Sequence, residues 1–154
     1  MVRLEKLDPE ERKRVEQLPC PTFNTDPWVA GPPLNERRVA IISTAGLHRR
    51  DDRPFSGEPG DSYRIIPGDV KFGELIMSHA SVNFDRSGFQ RDWNVVFPLD
   101  RLRELADEKV IGSAASFHYS FMGAEDPMKW ENQARYLATL LKQDNVNAVL
   151  LVPV

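Results

Sequence analysis

An α/β fold is the class this sequence predicts, and three observations carry it. The β-branched run Val39-Ala40-Ile41-Ile42-Ser43 ends in Thr44, Ala45 and Gly46, small residues of the kind that take a strand into a tight loop. Leu99 to Ala106 and Met128 to Gln143 repeat apolar residues at helical spacing. Short apolar runs lie between and after them, the last being Val149-Leu150-Leu151-Val152, which reads as a buried strand. Strand, loop, helix, strand, helix, strand is the order of a parallel sheet with helices on its faces. The expectation is therefore a Rossmann-like or flavodoxin-like three-layer sandwich with a mainly parallel sheet, incomplete at the C-terminus.

The elements follow in order. Residues 9–17 form a short polar helix, with Asp8 as N-cap and Pro9 at the first helical position. Prolines at 19, 21, 27, 32 and 33 around Phe23 and Trp28 then predict an extended arm that packs by its aromatics on its own domain or on a second subunit. Residues 1–34 thus form an N-terminal helix and proline-rich arm, and residues 35–154 the α/β domain. After the strand from Arg38, residues 48–60, with Gly57, Pro59 and Gly60, read as a surface loop. Ser62 to Pro67 reads as an edge strand closed by its proline, Glu74 to His79 as another strand, and residues 80–92 as a polar loop. Leu99, Leu102, Leu105 and Ala106 share one helical face. Residues 110–119 are extended, and Asp126 and Pro127 start the helix carrying Trp130, Ala134, Leu137, Ala138, Leu140 and Leu141.

Composition narrows the function. The 154 residues suffice for one domain, and 41% hydrophobic with 28% charged residues is a globular rather than a disordered balance. A net charge of −3 offers no basic footprint for nucleic acid or an anionic membrane. No apolar run reaches the roughly 20 residues of a membrane span, and Met1 to Lys6 lacks a signal-peptide core, so a cytoplasmic protein is expected. The single cysteine, Cys20, leaves no intramolecular disulfide and no multi-cysteine metal site in the chain. Between Pro19 and Pro21 it reads as a small packed side chain.

Candidate chemistry gathers around the histidines. His48, His79 and His118 each follow an apolar run, and parallel strands would bring all three to one carboxyl edge, where α/β proteins place their sites. They are the candidate catalytic residues; the alternative for each is an imidazole satisfied by a backbone carbonyl. Their spacing matches no local metal motif, and no metal is expected. The loop Ser78-His79-Ala80-Ser81-Val82-Asn83-Phe84-Asp85-Arg86 can bind a small polar or carboxylate ligand, with Arg86 as anion anchor and Asp85 or His79 as proton-transfer group. Ser43, Thr44, Ser78 and Tyr119 complete the candidate substrate-binding set, and Asp61, Tyr63 and Arg64 form a weaker cluster. No GxGxxG, GxxxxGK[ST] or GxSxG pattern is present, so nucleotide binding and a serine-nucleophile elbow lack motif support.

Four ordered segments carry a resemblance. Val39 to His48, Gly60 to Arg64, Asn94 to Leu102 and His118-Tyr119-Ser120-Phe121-Met122-Gly123 together resemble the selenoprotein B family of glycine, sarcosine, betaine and D-proline reductases. The resemblance runs from about Leu18 to Val154. It implies a cytoplasmic subunit of a reductive cleavage enzyme, in which a selenocysteine or cysteine attacks the substrate amine carbon or takes part in dithiol exchange. It also implies that this residue, and then another helix, directly follows the equivalent of Val149 to Val154. On that expectation the chain stops one residue short, at a selenocysteine codon otherwise read as stop, and holds no cofactor and no reductase activity as given. The missing helix would leave a sheet face for a second copy, giving a homo-oligomer that works with other reductase subunits on a small amine or imino acid. His48, His79 and His118 would then shape the pocket that activates the nucleophile, a role assigned by position and not by the resemblance. A non-enzymatic small-molecule binding module and a histidine-site metal hydrolase are the alternatives.

Overall fold

Helix and strand periodicities resolve into a mixed sheet with helices on both faces in a computed structural model that describes residues 3–18, 20–56, 61, 63–81, 84–123 and 126–154. In chain order the elements are α1 (Pro9–Glu16), β1 (Arg38–Ser43), β2 (Leu47–Arg49), β3 (Arg64–Pro67), β4 (Leu75–Met77), α2 (Ser87–Arg91), α3 (Leu99–Asp107), β5 (Ser113–Ala114), β6 (Phe117–Ser120), α4 (Glu131–Gln143) and β7 (Ala148–Val152). Of the positions singled out above, Met1, Val2, Pro19, Gly57, Pro59, Gly60, Ser62, Val82 and Asn83 lie outside the described residues.

The central strand is β1. It pairs in parallel with β5 and β6 on one side and with β7 on the other, and β3 runs antiparallel to β6 at the edge. Alternation along β1 sends Val39 and Ile41 into a core with Trp93, Phe97 and the α3 residues Leu99 and Leu102. Ile42 points the other way, toward Tyr119, Phe121 and the α4 residue Leu137. The two helices therefore cover opposite faces of the sheet.

Between β5 and β6 the ladder to β1 is interrupted, and side chains satisfy the freed backbone groups. Asp144 accepts from the amides of Ser116 (2.7 Å) and Phe117 (3.2 Å), and Arg38 holds that carboxylate at 2.7 Å. The Ile41 amide donates to His118 Nδ1 at 2.9 Å. Unpaired, the buried Ile41 amide would cost about 1–3 kcal/mol.

The helix signals are local and hold. Asp8 accepts from the Glu10 amide as the cap of α1, and Asp126 from that of Met128 as the cap of the 3-10 turn Pro127–Trp130 that leads into α4. Asp100, in the first turn of α3, binds the Trp93 indole, Asn94 and Arg103, which accounts for the Trp93-Asn94 and Leu99-Asp100 pairs around Pro98. At the other ends, Lys109 (φ 59°) and Asn145 (φ 54°) adopt the left-handed conformation that stops α3 and α4.

Five expectations change. The terminal strand was read as buried, but β7 is an edge strand whose Val149, Leu150 and Leu151 are exposed, Leu151 to 67%. It pairs with β1 and, among the described residues, with no strand on its outer side. The runs around His48 and His79 do not join the main sheet: β2 and β4 form a separate antiparallel pair, with His48 opposite Ile76. A helix, α2, replaces part of the polar loop of residues 80–92. The class is α/β with a mixed, curled sheet, not clearly the mainly parallel Rossmann or flavodoxin sandwich, because β3 opposes its neighbour and β2–β4 stand apart. In the arm, Phe23 and Trp28 are exposed, Trp28 to 87%, so neither packs on its own domain.

Candidate functional site

Thr44 extends the β1–β7 pairing one step past the end of β1. Its amide donates to the Val152 carbonyl (3.1 Å), its hydroxyl oxygen accepts from the Val154 amide (2.8 Å), and the hydroxyl donates to the Val154 carbonyl at 3.3 Å. The Thr44 carbonyl in turn accepts from Gly123, just past β6 (2.9 Å). Gly46, at φ +65°, then reverses the chain, donating to the Phe121 carbonyl and accepting from the Ser78 amide. That last bond brings the end of β4, and with it His79, against the carboxyl ends of β1, β6 and β7. A Cβ on Gly46 would lie 2.9 Å from Met122 Cε and 3.1 Å from the His79 nitrogen, so glycine is required here by both space and φ.

His79 is the polar centre of this cradle. It is 5% exposed, its ring packs 5.0 Å from that of Phe84, and Arg86 donates to its backbone carbonyl. Nδ1 accepts from the Ser81 amide at 3.1 Å, which leaves the proton of the neutral ring on Nε2. Nε2 is buried with no hydrogen-bond partner among the described residues. It lies against Gly123: a Cβ there would be 3.2 Å from Nε2 and 3.1 Å from both the Thr44 and the Val154 carbonyl oxygens. Burial pushes the His79 pKa down; the nearby Val154 backbone pulls it up without closing a well-formed hydrogen bond on Nε2, and the Arg86 charge adds to the lowering. The ring is therefore neutral at pH 7, with an N–H aimed at the end of β7.

The other two histidines sit elsewhere. His48 lies within β2; its Nδ1 faces the Arg49 carbonyl (2.8 Å) and so bears the proton, while Nε2 accepts from the Ser78 hydroxyl (2.8 Å). His118 is inside β6 rather than beyond it, fully buried and edge-on to Phe97. Burial first, then the Arg103 charge, lowers its pKa to about 4 against the opposing pull of Asp144. The structure thus does not gather three imidazoles at one edge, and no group of three His, Cys, Asp or Glu side chains fit to hold a metal occurs among the described residues.

Of the candidate substrate-binding residues, Thr44 and Arg86 belong to the cradle. The Ser43 hydroxyl donates to the Val96 carbonyl (2.8 Å) and accepts from the Ala45 amide, fully buried. Ser78 is paired with His48, Asp85 accepts from the Ser87 amide at the start of α2, and Tyr119 packs on the α4 side, 5.6 Å from Tyr63. Asp61 and Arg64 pin the loop before β3: burial resists ionisation of Asp61, but Arg64 and Ser56 outweigh it and hold the pKa at about 2.

A family model for glycine/sarcosine/betaine reductase selenoprotein B matches residues 4–154. The chain belongs to this family. The chain is 34% identical over 120 residues to the D-proline reductase subunit gamma of Acetoanaerobium sticklandii, covering 77% of this chain and 49% of that one. It is 28% identical over 141 residues to the sarcosine reductase complex component B subunit beta of Peptoclostridium acidaminophilum, covering 88% of this chain and 32% of that one. The chain thus spans about half and about a third of the lengths of these curated relatives. No solved structure matches it.

Gly46, Ser81, Met122 and Gly123 are the cradle residues that the sequence reading passed over. Met122 Sδ accepts from the Ala80 amide (3.2 Å), tying the β4 loop to the loop after β6. Gly46 and Met122-Gly123 stand inside two of the four segments that carry the family resemblance, and that was the available signal. Their roles depend on contacts between distant parts of the chain, which local spacing does not show.

Proposed function

We propose that this chain is the part of a reductase of the glycine/sarcosine/betaine/D-proline type that builds the pocket at the carboxyl end of β7. The substrate is a small amine or imino acid. The nucleophile is a selenocysteine or cysteine directly following Val154 in the full gene product, which acts in the cytoplasm with other reductase subunits. Reductive cleavage of the C–N bond consumes two electrons and two protons, forming C–H and N–H; a dithiol oxidised to its disulfide supplies both pairs. The chain as given is then inactive, since its one cysteine, Cys20, is exposed in the arm.

The observation that carries this reading is the convergence on Val154: Thr44, Gly123 and His79, from three separate loops, meet at the end of β7. Membership of a family described as a selenoprotein reductase supports the chemistry. The relatives' names, a subunit gamma and a component of a reductase complex, support a multi-subunit setting.

The test is dithiothreitol-dependent turnover by the full gene product with its partner subunits, offered glycine, sarcosine, betaine and D-proline separately. One of the four should be consumed with matching thiol oxidation, and residues 1–154 alone should consume none. Saturable binding without reduction of any of the four would instead make the protein a binding module.

A further inference from the structure

Two buried imidazole nitrogens, Nε2 of His118 and Nε2 of His79, have no hydrogen-bond partner among the described residues. They differ in where they lie. His118 sits within β6, beside Phe97, and its other nitrogen completes the sheet by accepting from Ile41. His79 lies past β4, at the carboxyl ends of β1, β6 and β7, where its Nε2 and the Val154 carbonyl both border the space that a Cβ on Gly123 would fill. The ring cannot turn to satisfy itself, because Nδ1 is held by the Ser81 amide, Phe84 packs on its face, and Arg86 fixes its carbonyl. An N–H held this firmly beside the Val154 carbonyl, without a well-formed hydrogen bond to it, is preorganised for a group that arrives at the end of β7.

We propose that His79 is a positioning residue for the redox nucleophile: its Nε2–H donates a hydrogen bond to the anionic sulfur or selenium carried by the residue after Val154. This deepens, and rests on, the reading given under Proposed function. A neutral N–H stabilises a thiolate or selenolate over its protonated form and so keeps the nucleophile ionised at neutral pH. It does this without adding a proton that could quench the anion. Arg86 is the charged group that bears on His79, and its positive charge opposes protonation of the ring. Gly123 belongs to the same device, since a side chain there would separate the imidazole from Val154.

The test uses the full gene product with cysteine at the position after Val154, so that the thiol ionises within reach of a titration. Iodoacetamide alkylation of that residue, followed by peptide mass spectrometry across pH 5–9, gives its pKa. His79→Asn keeps an acceptor for the Ser81 amide and lacks the distal N–H; His79→Gln keeps a distal N–H. Asn should lower the alkylation rate at pH 6.5 by about tenfold and move the profile to higher pH, whereas Gln should stay within about threefold of the unsubstituted protein. A purely structural role would affect both variants through their folding and leave the ionisation profile in place. Equal profiles in all three proteins would overturn the inference while leaving the reductase reading intact. Absence of any cysteine or selenocysteine after Val154 in the native protein would overturn both.

Discussion

His118 accepts the Ile41 amide at a point sealed from water, and its pKa of about 4 lies well below the 6.5 of a free imidazole. Between those two values the unfolded chain binds a proton that the folded chain excludes. Its contribution is therefore fully present above about pH 6.5 and is lost as the pH falls toward 4, amounting to roughly 3 kcal/mol. The His79 pKa is lowered in the same direction, so both buried rings destabilise the fold in acid. His118→Asn keeps an acceptor near Nδ1 but does not titrate. Urea midpoints at pH 7 and pH 4.5 should fall less for this variant than for the wild type, and equal falls would refute the assignment. At Gly46 the left-handed φ and the nearby Met122 Cε predict that Ala costs about 1–2 kcal/mol or more. Gly73→Ala, with no atom within 4 Å of the added carbon, is the control and should cost far less in the same urea titration.

Elements with local signals were legible, and elements made by pairing were not. Helices α1 and α3 follow from Asp8-Pro9 and from Leu99 with Leu102, α4 from its apolar spacing with Asp126-Pro127 starting the 3-10 turn before it, and β1 from its β-branched run. By contrast β2 and β4 are three residues each and exist by pairing across the 25 residues between them, which no local pattern encodes. The interruption between β5 and β6 was equally hidden, because Asp144 and His118, remote from it or apparently catalytic in sequence, are what satisfy it. For the same reason three histidines that looked equivalent serve a ribbon, a loop and a strand. One stop signal still carries a cost: Lys109 holds φ 59° without being glycine or asparagine. Lys109→Gly should raise stability by about 0.5–1 kcal/mol by thermal or urea unfolding, since it removes the left-handed penalty less glycine's entropy. A loss of stability would mean that the Lys109 side chain makes a contribution the backbone geometry does not reveal.

On the scale of the whole molecule, apolar surface lies open on the β7 residues Val149, Leu150 and Leu151 and on the arm residues Phe23, Trp28 and Val29, among others. An exposed apolar edge strand is a template for pairing. Light scattering on the purified chain should show a dimer at micromolar concentration, and Leu151→Lys, at the most exposed β7 position, should shift it toward monomer. A wild-type monomer at that concentration would count against self-association and leave other subunits to cover the surface. The central claim is that the reacting group sits where Thr44, Gly123 and His79 enclose the end of β7. Its most direct test is iodoacetamide labelling of the reduced full gene product with and without the amine or imino acid that it consumes, read by peptide mass spectrometry. Labelling at a selenocysteine or cysteine directly after Val154, slowed by that substrate, is the predicted result; labelling elsewhere, or at a rate the substrate leaves unchanged, would contradict it.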